Sequence, residues 1–283
     1  MLAITNYDGR KPGLGRFPAG AAFGWTRRWR AGAALFFMVS AFGAGAQTNS
    51  TPGSNSVTAA DFPGRALKIF LVSRDRFRAE PIKADLAWQF GRAAFDWAEF
   101  ATNDTQRAAI ADEGIAACRQ LTARQPALAP GHYYLAMNLG QLARTKFLGA
   151  LKIVEEMEQE FKRATALDAR FDYAGADRSL GLLYFDAPGW PTSIGSRSKA
   201  RLHLERAVTL SPDYPDNRLC LLEAYLKWGD KEGIQRERLK LEELLPKARI
   251  KLMGEAWEAS WVDWNRRWKK IREKIGGTPP AKK

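Results

Sequence analysis

KARLHLERAVTLSPDYPDNRLCLLEAYLKWGD, residues 199–230, decides how this chain folds. Its small, apolar and aromatic side chains recur at helical spacing at Ala200, Leu204, Ala207, Leu221, Leu222 and Tyr225. Small residues let two helices pack closely, an aromatic ring fills the gap between them, and a proline ends the second helix. Pro212 and Pro246 stand 34 residues apart, which indicates a repeated pair of helices.

This spacing resembles the consensus of the tetratricopeptide repeat (TPR), a unit of 34 residues that forms a helix–turn–helix. The resemblance implies that helix pairs stack side by side into an all-α solenoid with a concave face. We therefore expect residues 61–275 to form a TPR-like solenoid of helical hairpins. Proteins of this architecture bind other molecules on the concave face, so we expect a binding protein and no enzyme.

The same pattern continues upstream. Gly181 and Tyr184 belong to a unit whose two helices are separated by a long loop, DAPGWPTSIG at 186–195. In the preceding unit, a first helix near 131–145 has two alternative registers: one uses Leu135-Ala136 and the other Leu139-Gly140. Further back, the spacing predicts helices at about 83–100 and 105–124, with a partial unit at 62–80.

The C-terminal segment carries a stripe of apolar residues with alternating spacings of four and three: Trp257, Trp261, Trp264, Trp268, Ile271 and Ile275. A terminal helix of a solenoid must cover the apolar face of the last repeat, so the stripe predicts a Trp-rich capping helix. Basic residues on its other faces leave open a membrane-surface helix or a contact between copies. Residues 276–283 are expected to be a disordered tail.

The N-terminal segment has the features of an export signal. Basic residues at 27–30 precede an apolar stretch of 16 residues that ends in the small-residue site Ala44-Gly45-Ala46. We expect residues 1–46 to be a signal peptide and residues 47–60 a flexible linker. The mature protein would then be periplasmic or secreted. Retention of the apolar stretch as an anchor stays open.

The charge suggests the chemistry of a partner. Residues 1–46 contain six basic residues and one acidic residue, so the rest carries 38 basic and 30 acidic residues, a net charge of +8 against +13 for the whole chain. Such a surface suits an anionic ligand, an acidic partner or an anionic membrane surface. No nucleic-acid reading motif accompanies it, so we expect no nucleic acid partner.

A second resemblance is narrower. GHYYLAMNLGQLA at 131–143 and the stretch from Arg178 to Asp230, with its APGWP loop, resemble the T-component proteins of tripartite ATP-independent periplasmic (TRAP) transporters. This resemblance implies an exported scaffold accessory to solute uptake, with a solute-binding protein as its partner. It implies no catalytic residues. The alternative is a general periplasmic interaction scaffold for envelope assembly that has no ligand of its own.

The TPR resemblance also implies which residues face the groove, through the inward positions of each first helix. These are Trp88, Arg92, Phe95 and Asp96, then Met137 and Gln141 in either register, then Arg178 and Leu182, and finally Asp216, Glu223 and Lys227. Aromatic, methionine and arginine side chains suit a mostly apolar ligand or peptide with an acidic group. Trp190 either plugs the end of its helix pair or stands at the lip of the groove.

Residues for chemistry are scarce. His132 and His203 have no partner at a metal-ligand spacing, and no catalytic or phosphate-binding motif occurs, so we expect no metal and no cofactor. The acidic run at 155–160 is typical of a solvated helix face. Cys118 and Cys220 are interpreted as buried thiols on separate repeats.

Overall fold

The computed structural model describes residues 61–146 and 149–276. This part of the chain is all-α. It consists of α1 (Phe62–Ala79), α2 (Ala84–Ala98), α3 (Asp104–Arg124), α4 (Ala129–Ala143), α5 (Ala150–Leu167), α6 (Phe171–Asp186), α7 (Arg197–Leu210), α8 (Pro215–Trp228), α9 (Lys231–Lys251), a 3-10 turn (Glu255–Trp257) and α10 (Glu258–Gly276).

The helices stack as pairs in chain order: α2 with α3, α4 with α5, α6 with α7, and α8 with α9. The first helices of successive pairs also pack on one another, and they approach more closely than the second helices do. The stack therefore curves with its first helices inside. We call the side that is lined by α2, α4, α6 and α8 the inner face.

Close packing within each pair depends on the small residues that the sequence singled out. A Cβ atom on Gly91 would lie 2.3 Å from the Cys118 sulfur, and one on Gly181 would lie 2.6 Å from Leu204 Cγ. Tyr225 is fully buried and fills the gap between α8 and α9. This close packing within the helix pairs confirms the predicted solenoid of helical hairpins.

The structure resolves the register that the sequence left open in α4. α2 begins at Ala84, seven residues before Gly91. α4 begins at Ala129, which is seven residues before Ala136. The register with Leu135-Ala136 therefore applies, and Ala136 is completely buried at the helix contact.

Pro246 corrects one prediction. The sequence suggested that it ends the second helix of the last pair, but α9 continues through it to Lys251. Proline has no N–H, so the carbonyl of Glu242 loses its helical hydrogen bond. Burial of Leu244 and Ala248 against α10 holds the helix together on both sides of the proline.

The C-terminal helix caps the stack, as predicted. Trp261, Trp264, Trp268 and Ile271 are buried against residues of α8 and α9. Because the tryptophan stripe faces the protein, it is not the surface through which α10 would lie on a membrane. α10 also packs beside α8 and so extends the inner row of helices.

The two ends of the stack touch. α1 packs on α2 through Phe70 and Phe77, whose rings lie 5.6 and 5.5 Å from that of Phe90. At the other end of α1, Arg65 Nη1 lies 2.7 Å from Glu255 Oε1 and Nη2 lies 2.7 Å from Glu258 Oε2. α1 thus bridges the first helix pair and the C-terminal cap.

The predicted signal peptide at 1–46, the linker at 47–60 and residues 277–283 of the predicted tail lie outside the described residues. Among the helices that are described, none has the length and apolar character to cross a membrane.

Candidate binding surface on the inner face

The predicted groove residues differ in how much of their surface is free. Those at the two ends of the inner face keep solvent contact: Trp88, Arg92 and Asp96 on α2 and Glu223 on α8 are half-buried, and Lys227 is exposed. The other predicted groove residues, including Phe95 and Asp216 on the same two end helices, are buried: Phe95, Met137, Gln141, Arg178, Leu182 and Asp216.

Neighbouring side chains close the middle of the inner face. Gln141 donates from Nε2 to Glu99 Oε1 at 2.5 Å, and the hydroxyl of Ser179 lies 3.6 Å from the sulfur of Met137. The first contact joins α4 to Glu99, which directly follows α2, and the second joins α4 to α6. Because these contacts bridge successive pairs, they form the floor of the inner face and leave little surface for a ligand.

Arg178 lies at the centre of this floor. It donates to Asn217 Oδ1 at 2.9 Å, its Nε lies 3.2 Å from Asp216 Oδ2, and the Tyr214 ring lies beneath it. Burial alone would lower the pKa of Arg178, but the carboxylate of Asp216 and the surrounding tyrosines raise it overall. The guanidinium is therefore charged and fully occupied by the protein.

A second buried arginine joins the cap to the last pair. Arg267 of α10 donates from Nε and Nη2 to the two oxygens of Glu223, both at 2.9 Å, and from Nη1 to Asp216 Oδ1 at 2.5 Å. A planar guanidinium that meets a carboxylate in this bidentate way sets direction as well as distance. Glu223, a predicted groove residue, is thus engaged in fixing α10 on α8.

A strained turn begins α6. Asp172, Tyr173 and Ala174 have φ values of 52°, 57° and 59°, in the left-handed region that residues with a side chain rarely adopt. Asn217 Nδ2 donates to the carbonyl of Tyr173 at 3.0 Å, and the Tyr133 hydroxyl donates to Asp172 at 2.8 Å. The turn brings a carboxylate onto the inner face at a position that helical periodicity does not anticipate.

Arg92 and Asp96 stand apart from these satisfied networks. The buried Nη2 atom of Arg92 has no hydrogen-bond partner among the described residues. Its Nε lies 3.7 Å from Asp96 Oδ2, which is an ion-pair distance but too long for a hydrogen bond. Burial lowers the pKa of Arg92, but Tyr134 and Asp96 raise it overall, so it stays charged.

The surroundings of Asp96 also raise its pKa, which for a carboxyl group favours the neutral form. Burial in the curve of the stack raises its pKa to about 6, with Arg92 lowering it and Asp172 raising it further. The carboxylate is consequently half protonated near pH 6. The Arg92–Asp96 pair combines an unmet hydrogen-bond donor with partial access to solvent, since the two side chains keep 14% and 31% of their surface exposed.

Aromatic rings border this pair. Trp88 stacks on Tyr134 with ring centroids 5.9 Å apart, and Phe171 meets both rings edge-on at 6.2 and 6.1 Å. The three rings come from α2, α4 and α6, so the first helices converge here. Sequence reasoning found Trp88, but it missed Tyr134, Phe171 and Asp172, because no periodic signal marks them.

Trp190 lies in the loop between α6 and α7 and is 89% exposed. Backbone hydrogen bonds order this loop, with Gly195 N donating to Pro188 O at 2.9 Å and Ser196 N donating to Tyr184 O at 2.9 Å. The interpretation of Trp190 as a plug for its helix pair is therefore wrong. The ring projects from a fixed loop into solvent.

The acidic run on α5 is less solvated than predicted. Glu158 is buried and accepts from the Tyr184 hydroxyl at 2.5 Å. Glu160 lies 2.5 Å from His132 Nδ1, and this hydrogen bond raises the pKa of the buried His132 despite the opposing effect of burial. Both carboxylates tie α5 to a first helix, which explains their position on the helix face.

The described residues contain neither a metal-ligand cluster nor an exposed thiol. In residues 61–146 and 149–276, no group of three or more His, Cys, Asp or Glu side chains is placed to hold a metal ion. Cys118 and Cys220 are free, buried thiols, and burial raises the pKa of Cys118 to about 12. The confirmed burial makes both thiols packing residues.

Comparison with known proteins identifies the fold. No protein-family model matches the chain, and no curated protein does. Among solved structures, a thermophilic TPR protein of Thermus thermophilus matches with a TM-score of 0.54 and 20% sequence identity, over 74% of this chain and 91% of that protein. The chain has the TPR fold. At this identity the likeness concerns the fold alone, so the TRAP resemblance remains a prediction.

Proposed function

We propose that this TPR protein is a non-enzymatic interaction scaffold that binds an extended segment of a partner along the inner face, with Arg92 taking an acidic group. The observation that carries the proposal is the unpartnered, buried Nη2 of Arg92. A buried donor without an acceptor costs about 1–3 kcal/mol. A bound carboxylate would recover that cost, because its two oxygens match the planar guanidinium.

The neighbouring residues complete the recognition. Trp88 and Phe171 present ring surface beside Arg92, so an apolar or aromatic side chain next to the acidic group would find a partner. Lys227 is exposed at the other end of the inner face and would contact a longer segment. The floor residues between these ends are satisfied by the protein and act as a rigid base.

Asp96 makes this binding dependent on pH. Above its pKa of about 6, the carboxylate competes with the ligand for Arg92. Below that pH, Asp96 is neutral and the competition ends. We therefore expect acidic ligands to bind more tightly at pH 5.5 than at pH 8, as long as the ligand itself stays ionised.

The test uses N-acetyl-tryptophan as the probe and its amide, which lacks the carboxylate, as the matched ligand. Titration calorimetry should show that the acid binds more tightly than the amide, and that Arg92→Gln weakens acid binding about tenfold or more, the loss of one charge-assisted hydrogen bond. Arg76→Gln, an exposed arginine on α1, serves as the control. Equal binding of acid and amide, or unchanged binding to Arg92→Gln, would refute the assignment.

A narrower form of the proposal follows from the TRAP resemblance of residues 131–230. It makes the protein a periplasmic accessory of TRAP-type uptake whose partner is a solute-binding protein. The APGWP loop supports this form, because it is ordered and presents Trp190 to solvent. Purification of tagged protein from the cell envelope tests it: a solute-binding protein lost with Trp190→Ala supports uptake, whereas envelope-assembly factors in its place support the general scaffold.

A further inference from the structure

The last helix pair and its cap leave an open groove on the outside of the stack. α9 and α10 are held apart by Trp261, Trp264 and Trp268, which fill the interior between them. Two adjoining cavities of about 460 and 510 Å³ lie along the resulting cleft. Both are lined by Pro246, Arg249 and Trp261, so they form one continuous surface. We call this surface the α9–α10 groove.

Apolar side chains line both cavities of the groove, together with the polar side chains of Glu242, Arg249 and Asn265 in the first. Leu245 and Trp268 line one cavity, and Ile250 and Met253 line the other. Ile250 is 73% exposed and Met253 is 70% exposed, values that are unusual for large apolar side chains next to one another. A solenoid normally ends in a polar outer surface, so this end of the stack retains the apolar character of an internal contact.

Basic side chains border the groove without carboxylate partners. The guanidinium of Arg249 lies over the Trp261 ring at 4.8 Å, and that of Arg272 lies over Trp268 at 5.7 Å. Within the described residues, neither arginine forms an ion pair. The two carboxylates that line the groove are already engaged: Glu242 with Arg238 and Glu258 with Arg65.

The shape of the groove favours a helix as its occupant. It lies between two helices, where stacking would place the next helix of a longer solenoid, and an amphipathic helix fills such a cleft with its apolar face. Its two cations require that the occupant carry carboxylates beside that apolar face. Net charge argues against occupants from this chain, because a second copy would bring +13 and residues 1–60 carry six basic residues and one acidic residue.

We propose that the α9–α10 groove binds an acidic amphipathic helix of a partner protein, with Arg249 and Arg272 pairing its carboxylates. This site is separate from the Arg92 site on the inner face. A scaffold with both sites would hold two segments at once, and the loss of either would leave the other intact.

The test measures binding of a fluorescent peptide of about 15 residues, stapled as a helix, with leucines on one face and glutamates beside them. The matched probe replaces each glutamate with lysine. The full-length protein should bind the glutamate peptide at least tenfold more tightly by anisotropy. Arg249→Glu should abolish that preference, and Lys152→Glu, the same charge change on the distant helix α5, should leave it unchanged.

Other occupants give distinct results. Equal binding of the two peptides, or full binding by Arg249→Glu with retained circular dichroism, would overturn the proposal. A dimer in sedimentation experiments that Arg249→Glu dissociates would identify a second copy as the occupant and also overturn it. The proposal would also be overturned if the protein bound phosphatidylglycerol vesicles through Arg249 but did not bind the glutamate peptide. Because Arg92→Gln leaves this groove intact, failure here is separable from failure of the inner-face proposal.

Discussion

Replacing Asp96 with asparagine should stabilise the protein at neutral pH. In the folded state, burial raises the pKa of Asp96 from its ordinary value of 3.8 to about 6. Between these values, the unfolded chain releases the proton while the folded protein keeps it. Stability therefore falls as pH rises from about 4 to about 6, and the full penalty persists at higher pH. The Asp96→Asn variant has no proton to lose and escapes this penalty.

The size of the effect follows from the same shift. A change in pKa from 3.8 to about 6 corresponds to about 3 kcal/mol between the two states. The side chain of Asp96 keeps 31% of its surface exposed, so water screens part of this energy. We expect Asp96→Asn to raise the free energy of unfolding at pH 8 by about 1–2 kcal/mol, with no gain at pH 4.

Urea denaturation followed by circular dichroism at pH 4, 5, 6, 7 and 8 measures this difference. The wild-type free energy of unfolding should decline relative to the variant through the interval from pH 4 to 6 and then run parallel to it. Asp112→Asn on the exposed side of α3 provides the control. If Asp96→Asn is destabilising at pH 8, then Asp96 supports the fold through Arg92, and our account of an unsatisfied pair is wrong.

Two further changes test the packing, and a third tests the His132–Glu160 pair. Gly181→Ala places a Cβ 2.6 Å from Leu204 Cγ and should lower the free energy of unfolding in urea by about 1–3 kcal/mol. Trp264→Ala empties the centre of the cap and should cost about 3–5 kcal/mol in the same assay. The hydrogen bond to Glu160 raises the pKa of His132, so this pair stabilises the protein fully below pH 6.5 and loses that stabilisation as the pH rises. The melting temperature of the wild type should therefore fall toward pH 8.5, whereas that of His132→Gln should not.

The two packing changes each have a counterpart that should be nearly silent. Gly189→Ala adds a Cβ whose nearest neighbour is 3.8 Å away. Val262→Ala alters a residue of α10 that is 53% exposed. A stability loss in these controls equal to that of the test variants would mean that close contact and burial do not explain the effects.

The scaffold could be predicted because its determinants are local. The spacing of Gly181, Leu204 and Tyr225 indicates which faces of neighbouring helices meet, and that information lies within two consecutive repeats. The continuation of α9 through Pro246 could not be predicted in the same way. Whether a helix survives a proline depends on tertiary contacts, here the burial of Leu244 and Ala248 against a helix more than ten residues further on.

The contacts of the inner-face side chains could not be predicted from the sequence, for a different reason. Repeat position predicts which side chains point inward, but it carries no information on what faces them. Arg178 forms an ion pair with Asp216 on the next pair, and Glu223 accepts hydrogen bonds from Arg267 on the cap. The left-handed turn at Asp172 contains no glycine that would have indicated it in the sequence. Only the fold shows that Arg92 has an unmet donor and that Arg178 does not.

The buried ion pairs also explain how the curve of the stack is held. Arg65 joins the two ends through Glu255 and Glu258, but these side chains are partly exposed, and surface ion pairs contribute about 0–1 kcal/mol. That contact is too weak to impose a shape. Arg178 and Arg267 instead bridge successive first helices inside the protein, where breaking a pair costs about 3–5 kcal/mol. Curvature is therefore set along the inner face, and the contact between the ends follows from it.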